Sequence, residues 1–200
     1  MHMKQAADGR QNGPMAADLA VGQRLRALRR ERGLSLKAVA TGTGLSIGFL
    51  SQVERGLSSP SLRVLTQVAD LLGVGLAALF GGPAEPDADG IVTRAGARAA
   101  LTLWRAGITK QLLTRGDGSL SLFLMQLAPL AGTGDEALVH DGEEAGLVME
   151  GALVLTVEAT TAELGPGDSF RFASRRPHRY RNPSADRPAL VLWVNAVPRA

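Results

Sequence analysis

The hydrophobic period of this chain changes once, near residue 80, and that change limits the folds open to it. Before it, apolar residues recur at helical spacing: Leu19, Leu25 and Leu28, then Leu36, Val39 and Ala40, then Leu62, Leu65, Val68, Ala69 and Leu72. After it come short alternating runs such as "SLSLFLMQL" and "ALVLTV", separated by "RGDG", "LGPGD" and "NPSADRP". Between them lies "GGPAEPDADG", which has no apolar residue larger than alanine and reads as a linker. Separate helical and alternating halves indicate an α plus all-β two-domain protein. The expected division is a disordered arm over 1–17, a helical domain over 18–80, a linker over 81–91 and a β domain over 92–198.

Charge is distributed unevenly between those halves. The net charge of the chain is only +3. From Met15 to Phe80, however, eight cations face four anions, and five arginines fall between residues 24 and 32. A basic excess confined to one small helical domain suggests a polyanionic partner. Cysteine is absent, which excludes disulfides and thiolate metal sites and fits a reducing cytoplasm. No apolar run reaches the ~20 residues of a membrane span. The start, "MHMKQAADGRQNGPMAAD", is polar and lacks the apolar region of a secretory signal. A cytoplasmic protein is expected.

Five short helices are expected in the first half. The first runs from about Asp18 to Arg32 and stops at Gly33, and Ser35 caps "LKAVATGT". Ser46 opens "IGFLSQVERG", Ser61 stands near the start of the fourth helix, and "GLAALF" is the short fifth. Helices two and three are joined by the tight glycine turn "GTGLS", which is the helix-turn-helix pattern. Leu45, Leu50 and Val53 have the spacing of a buried face, leaving Ile47, Gly48, Ser51 and Gln52 pointing outward. The run from Val21 to Phe80, above all "LSQVERGLSSPSLRVLTQVADLLGV", resembles the XRE family, the Cro/C1-type (lambda-repressor-like) helix-turn-helix regulators. That resemblance puts Ile47, Gly48, Ser51 and Gln52 at base-facing positions on double-stranded DNA. Gln52 is the best base reader among them, since an amide can bond adenine N6 and N7 together. It also makes Lys37, Arg55, Ser59, Ser61 and Arg63 phosphate candidates, and Glu54 an internal structural residue. Gly48 departs from the family, where a longer polar side chain is common. Family members act as homodimers on half-sites about one helical turn apart.

Only three histidines occur, and two lie in turn-flanked patterns of the second half: His140 in "LVHDGEEAGLVMEG" and His178 in "RRPHRYRN". Pro166-Gly167 suits a type II turn. By period two, Phe170 and Phe172 share one face, as do His178, Tyr180 and Asn182. Together "HDGEEAGLVMEG" and "GDSFRFASRRPHRYRN" resemble the two motifs of the cupin family, a double-stranded β-helix or jelly-roll barrel, over about residues 92–198. The resemblance places His140, Glu144 and His178 at metal-ligand positions and Leu138 where the family has its first histidine. Two histidines and one carboxylate suit a divalent ion such as Zn, Fe, Mn or Ni. The alternative is an empty pocket with relic ligands. Leu138, Arg171 and Tyr180 are candidate effector-pocket residues.

These features favour a DNA-binding transcriptional regulator, a repressor rather than an activator, and not an enzyme. Its cupin domain would dimerise and sense a small molecule. A metal-dependent cupin enzyme of dioxygenase or isomerase type, fused to a DNA-binding domain, is the rival reading. A metal-independent binding module is the third.

Overall fold

The computed structural model describes residues 14–80, 91–114 and 118–197. The linker expected over 81–91 falls almost wholly outside them, as do residues 1–13 of the expected arm.

Four α-helices come first: α1 (Pro14–Glu31), α2 (Leu36–Thr43), α3 (Ile47–Glu54) and α4 (Leu62–Leu71). Each of the last three is preceded by a serine whose hydroxyl accepts a hydrogen bond from the third backbone N–H of the helix: Ser35 from Ala38, Ser46 from Phe49 and Ser61 from Val64. Such a cap is worth about 1 kcal/mol. Gly44 ends α2 in the left-handed region at φ +72°, turning the chain into α3. Two expectations need correction. The first helix begins at Pro14 rather than Asp18, because proline is well suited to an opening turn whose N–H would be unbonded anyway. The expected fifth α-helix is a single 3₁₀ turn, Leu76–Leu79, closed by Ala78 N–H to Gly75 and Phe80 N–H to Ala77. A four-residue segment behind Gly73 and Gly75 is too short to propagate an α-helix.

α1 crosses α3 at Gly22. A Cβ there would lie 2.1 Å from the Val53 carbonyl oxygen, so only glycine permits this approach. The core between the helices is apolar, with Leu25, Leu28, Val39, Leu50, Val53, Leu65 and Val68 all buried. Arg29 is fixed at its edge by Glu54, through Nε–Oε1 at 2.5 Å and Nη2–Oε2 at 2.9 Å, and its Nη1 donates to the Leu34 carbonyl.

The described residues of the second half form nine strands: β1 (Ala100–Leu103), β2 (Ile108–Leu112), β3 (Leu120–Leu127), β4 (Glu143–Glu150), β5 (Leu153–Val157), β6 (Thr160–Leu164), β7 (Ser169–Ala173), β8 (His178–Arg181) and β9 (Ala189–Ala196). They build a six-stranded sheet in the order β1-β2-β3-β9-β4-β7 and a three-stranded sheet in the order β6-β5-β8, antiparallel throughout. The inner faces bury Phe123, Met125, Val148, Leu153, Leu155, Phe172, Val191 and Trp193. The helical unit sits on this β domain through Phe80, whose ring lies 5.4 Å from that of Phe123. No described helix is long and apolar enough to cross a membrane.

Candidate functional site

Two places carry chemistry beyond what packing requires. The first is the outer face of α3. Leu50 and Val53 are buried, while Ile47 is 48% exposed and Gly48 and Gln52 are exposed. Nothing lies within 4 Å of where a Gly48 side chain would start. Ser51 is half-buried, and its carbonyl accepts from Arg55 Nε at 3.1 Å. Of the phosphate candidates, Lys37 and Arg55 are exposed and Ser61 serves as the α4 cap. Ser59 donates to Asp18, and Arg63 pairs with Glu136 of the β domain. These last two are engaged within the chain. Glu54 is the internal partner of Arg29.

The second place is a narrow cleft, partly open to solvent, between α4 with the following 3₁₀ turn and the inner faces of the two sheets. His140, Glu144, Leu138 and Tyr180 line it. Backbone bonds at 2.7 and 3.0 Å pair Leu138 with His178, so the substituted ligand position lies directly against the surviving histidine. Ligand atoms of His140, Glu144 and His178 lie within 4.8 Å of one another. His140 Nε2 is 2.9 Å from Glu144 Oε1, and His178 Nε2 is 3.5 Å from Glu144 Oε2. Asn195 Nδ2 donates to Glu144 Oε1 at 2.8 Å.

The hydrogen bonds test whether this triad fits a cation. Each imidazole has Nδ1 against a carbonyl oxygen, Asp141 for His140 and Arg176 for His178. That arrangement places the single proton of a neutral ring on Nδ1 and turns the Nε2 lone pair inward. His178 Nε2 and Glu144 Oε2 are buried without any hydrogen-bond partner. His140 Nε2 and Glu144 Oε1 are both acceptors unless the ring is doubly protonated or a cation lies between them. The donor set therefore fits a divalent ion. Burial alone would raise the Glu144 carboxyl, but the His140 hydrogen bond and the nearby His140, His178 and Lys110 outweigh it and hold it below its usual range. Burial pushes the His178 imidazole down. At His140 burial acts in the same direction, but the Glu144 hydrogen bond and charge reverse it.

Two corrections concern the cleft. Arg171 is not part of it. Phe170 and Phe172 take the inward phase of β7, so Arg171 points out and pairs with Glu143 at 2.6 Å on the surface. Conversely, Lys110 does line the cleft, and sequence reasoning missed it. It sits between Ile108 and Leu112 on the inward phase of "ITKQL", buried with them. A lysine in that phase is the signal that could have found it. Its ammonium lies 5.4 Å from the Phe123 ring centre and 5.7 Å from that of Trp193, and burial lowers its pKa to about 8. The Tyr180 hydroxyl, also buried, has no partner, and burial drives its pKa well up.

Residues 20–79 match the helix-turn-helix domain family, and residues 123–195 match the cupin domain family. The HTH-type transcriptional regulator PuuR of Escherichia coli (strain K12) is 30% identical over 169 residues, covering 84% of this chain and 90% of that protein. The regulator SutR of the same strain is 28% identical over 160 residues, covering 79% and 84%. The crystal structure of an HTH_3 family transcriptional regulator from Vibrio cholerae aligns with a TM-score of 0.72 at 26% identity, covering 94% of this chain and all of that one. A helix-turn-helix followed by a cupin domain, shared over nearly the full length of such proteins, makes this chain a member of the HTH-type transcriptional regulators.

Proposed function

We propose that the chain is a cytoplasmic, one-component repressor that binds operator DNA as a homodimer and responds to a small molecule held in its cupin domain. The observation that carries this reading is the α3 face. A helix capped by Ser46 and anchored through Leu50 and Val53 leaves Ile47, Gly48 and Gln52 uncovered beside a tight turn. In helix-turn-helix proteins that face enters the major groove. Ile47, Gly48, Ser51 and Gln52 then face bases. Lys37, Arg55 and the N-terminus of α4 at Ser61 face phosphates. Ser59 and Arg63 join them once released from Asp18 and Glu136. The nine strands are read as a double-stranded β-helix barrel whose outer surface holds the dimer.

Inside it, His140, Glu144 and His178 would hold one divalent ion. When bound, that ion would supply fixed positive charge beside the small molecule. We assign the cleft to sensing rather than turnover, because the relatives that align over nearly the whole chain are transcriptional regulators.

The test selects preferred duplexes from a random pool with the full chain and measures binding at low salt. Two half-sites about 34 Å apart are expected. Gln52→Ala should relax preference at one base pair by about 1–3 kcal/mol. Unchanged discrimination removes Gln52 as a reader, and indifference to every duplex removes the regulator reading itself.

A further inference from the structure

Lys110 is the only lysine or arginine among the residues lining the cleft. It is 3% exposed, and the described structure offers it two aromatic faces but no hydrogen-bond acceptor. A buried ammonium in that state is unfavourable, and natural interiors seldom keep one without a partner. The Tyr180 ring packs on the same Trp193 ring, at 4.6 Å between ring centres, and its buried hydroxyl has no hydrogen-bond partner. The cleft thus presents one ammonium and one hydroxyl donor without hydrogen-bond partners. Part of its wall is apolar: Leu62 and Ala69 from α4, Phe123 and Leu138 from the β domain.

We propose that this cleft binds a small aliphatic carboxylate, its anionic end on Lys110 and Tyr180 and its body against α4, so that the DNA-binding unit forms one wall of the effector site. One ammonium and one hydroxyl match a singly charged carboxylate. A doubly charged phosphate is disfavoured by the two carboxylates, Asp70 and Glu144, that share this lining. The apolar part of the wall suits a short hydrocarbon body. Coupling follows from the position of α4. It is the helix that follows the helix-turn-helix pair, and it contributes Leu62, Thr66, Ala69 and Asp70 to the lining. A ligand held between α4 and the sheets has different affinity for arrangements in which that wall is apposed or withdrawn. Differential affinity of that kind is what moves an equilibrium between them. The proposal rests on the regulator reading for its second half only.

The experiment titrates the full chain, in a Trp104→Phe background, with butyrate and hexanoate. Butyramide serves as the uncharged isostere and inorganic phosphate as the rival anion. Trp193 emission reports the cleft, and binding to the selected duplex reports the helical unit. Saturable emission changes with the carboxylates but not with butyramide are expected. Binding should weaken about tenfold or more in Lys110→Met, the scale of one charge-assisted hydrogen bond. Lys110→Gln, with a different side-chain shape, should behave alike and guards against misfolding of either variant. Duplex affinity should shift with saturating carboxylate in the parent and not in Lys110→Met. Equal binding of butyramide, phosphate binding tighter than butyrate, or full carboxylate binding by both Lys110 variants overturns the site. Carboxylate binding without any shift in duplex affinity overturns the coupling. Emission changes in a chain that binds no duplex would instead reject the regulator reading and leave the site standing.

Discussion

Arg29 and Lys110 are both nearly buried cations, one in each half of the molecule, and they are treated in opposite ways. Arg29 has a carboxylate on two of its nitrogens and a carbonyl on the third. Lys110 has two ring faces. In the helical unit the interior is satisfied, and the groups free to act point outward from α3. In the β domain the groups free to act point inward: Lys110, Tyr180, Glu144 and His178. A protein reader of another macromolecule needs a finished interior and an unfinished surface. A reader of a small molecule needs the reverse, because its unpaired polar atoms are completed by the ligand.

The comparison breaks most visibly at Glu54. Glu54→Ala leaves the Arg29 charge nearly buried without its carboxylate, and a loss of about 3–5 kcal/mol is expected. All four α-helices lie in the first half, whereas both tryptophans, Trp104 and Trp193, lie in the second. Urea unfolding followed by far-UV circular dichroism should therefore shift to lower midpoints more than unfolding followed by tryptophan emission. A loss under 1 kcal/mol would mean that Arg29 is well solvated and the contrast with Lys110 is false.

At Lys110 the expected sign is opposite. Its pKa is lowered from 10.5 to about 8 in the folded chain, so folding favours the neutral amine. Between those values the unfolded chain binds more protons, and stability rises with pH. Below about pH 8 both states carry the proton and the full penalty stands. The shift corresponds to about 3 kcal/mol. Lys110→Met should raise the stability of the β domain by up to about that amount at pH 7, and the gain should vanish as the pH approaches 10.5. Loss of stability in the variant would show that the ammonium is already satisfied in the ligand-free chain and would remove the reason to seek its partner.

The two regions also differ in how far the sequence disclosed them. Ser35, Ser46 and Ser61 announced their helices because a cap acts through three consecutive residues. Gly44 did so because left-handed backbone favours glycine. The outward set on α3 followed from period alone. The histidine and glutamate positions were legible as motif residues, and the alternation that placed Phe170 and Phe172 together already carried Arg171 outward. Lys110 lay in an alternating strand whose partners were unknown, so its burial depended on the packing of β2 beside β3. The α4 wall was less legible still. Nothing local to Thr66 or Asp70 says that a helix of one domain will roof a cleft in the other. Arg63 illustrates the same limit: its partner, Glu136, is 73 residues away.

The smallest expected effect separates the two rules on α3 itself. Gly48 is exposed, lies outside the left-handed region and has open space where a side chain would begin. Gly48→Ala should stabilise the helical unit by up to about 1 kcal/mol, since glycine in a helix gives up more backbone freedom than alanine. Thermal unfolding by circular dichroism measures it. If α3 lies so close to the groove that its backbone touches DNA at this point, the added methyl should weaken duplex binding while the fold gains. A variant that gains stability and keeps its duplex affinity would take Gly48 out of the base-facing set. Its glycine would then be a cost carried by the surface without return, and the outward face of α3 would be narrowed to Ile47, Ser51 and Gln52.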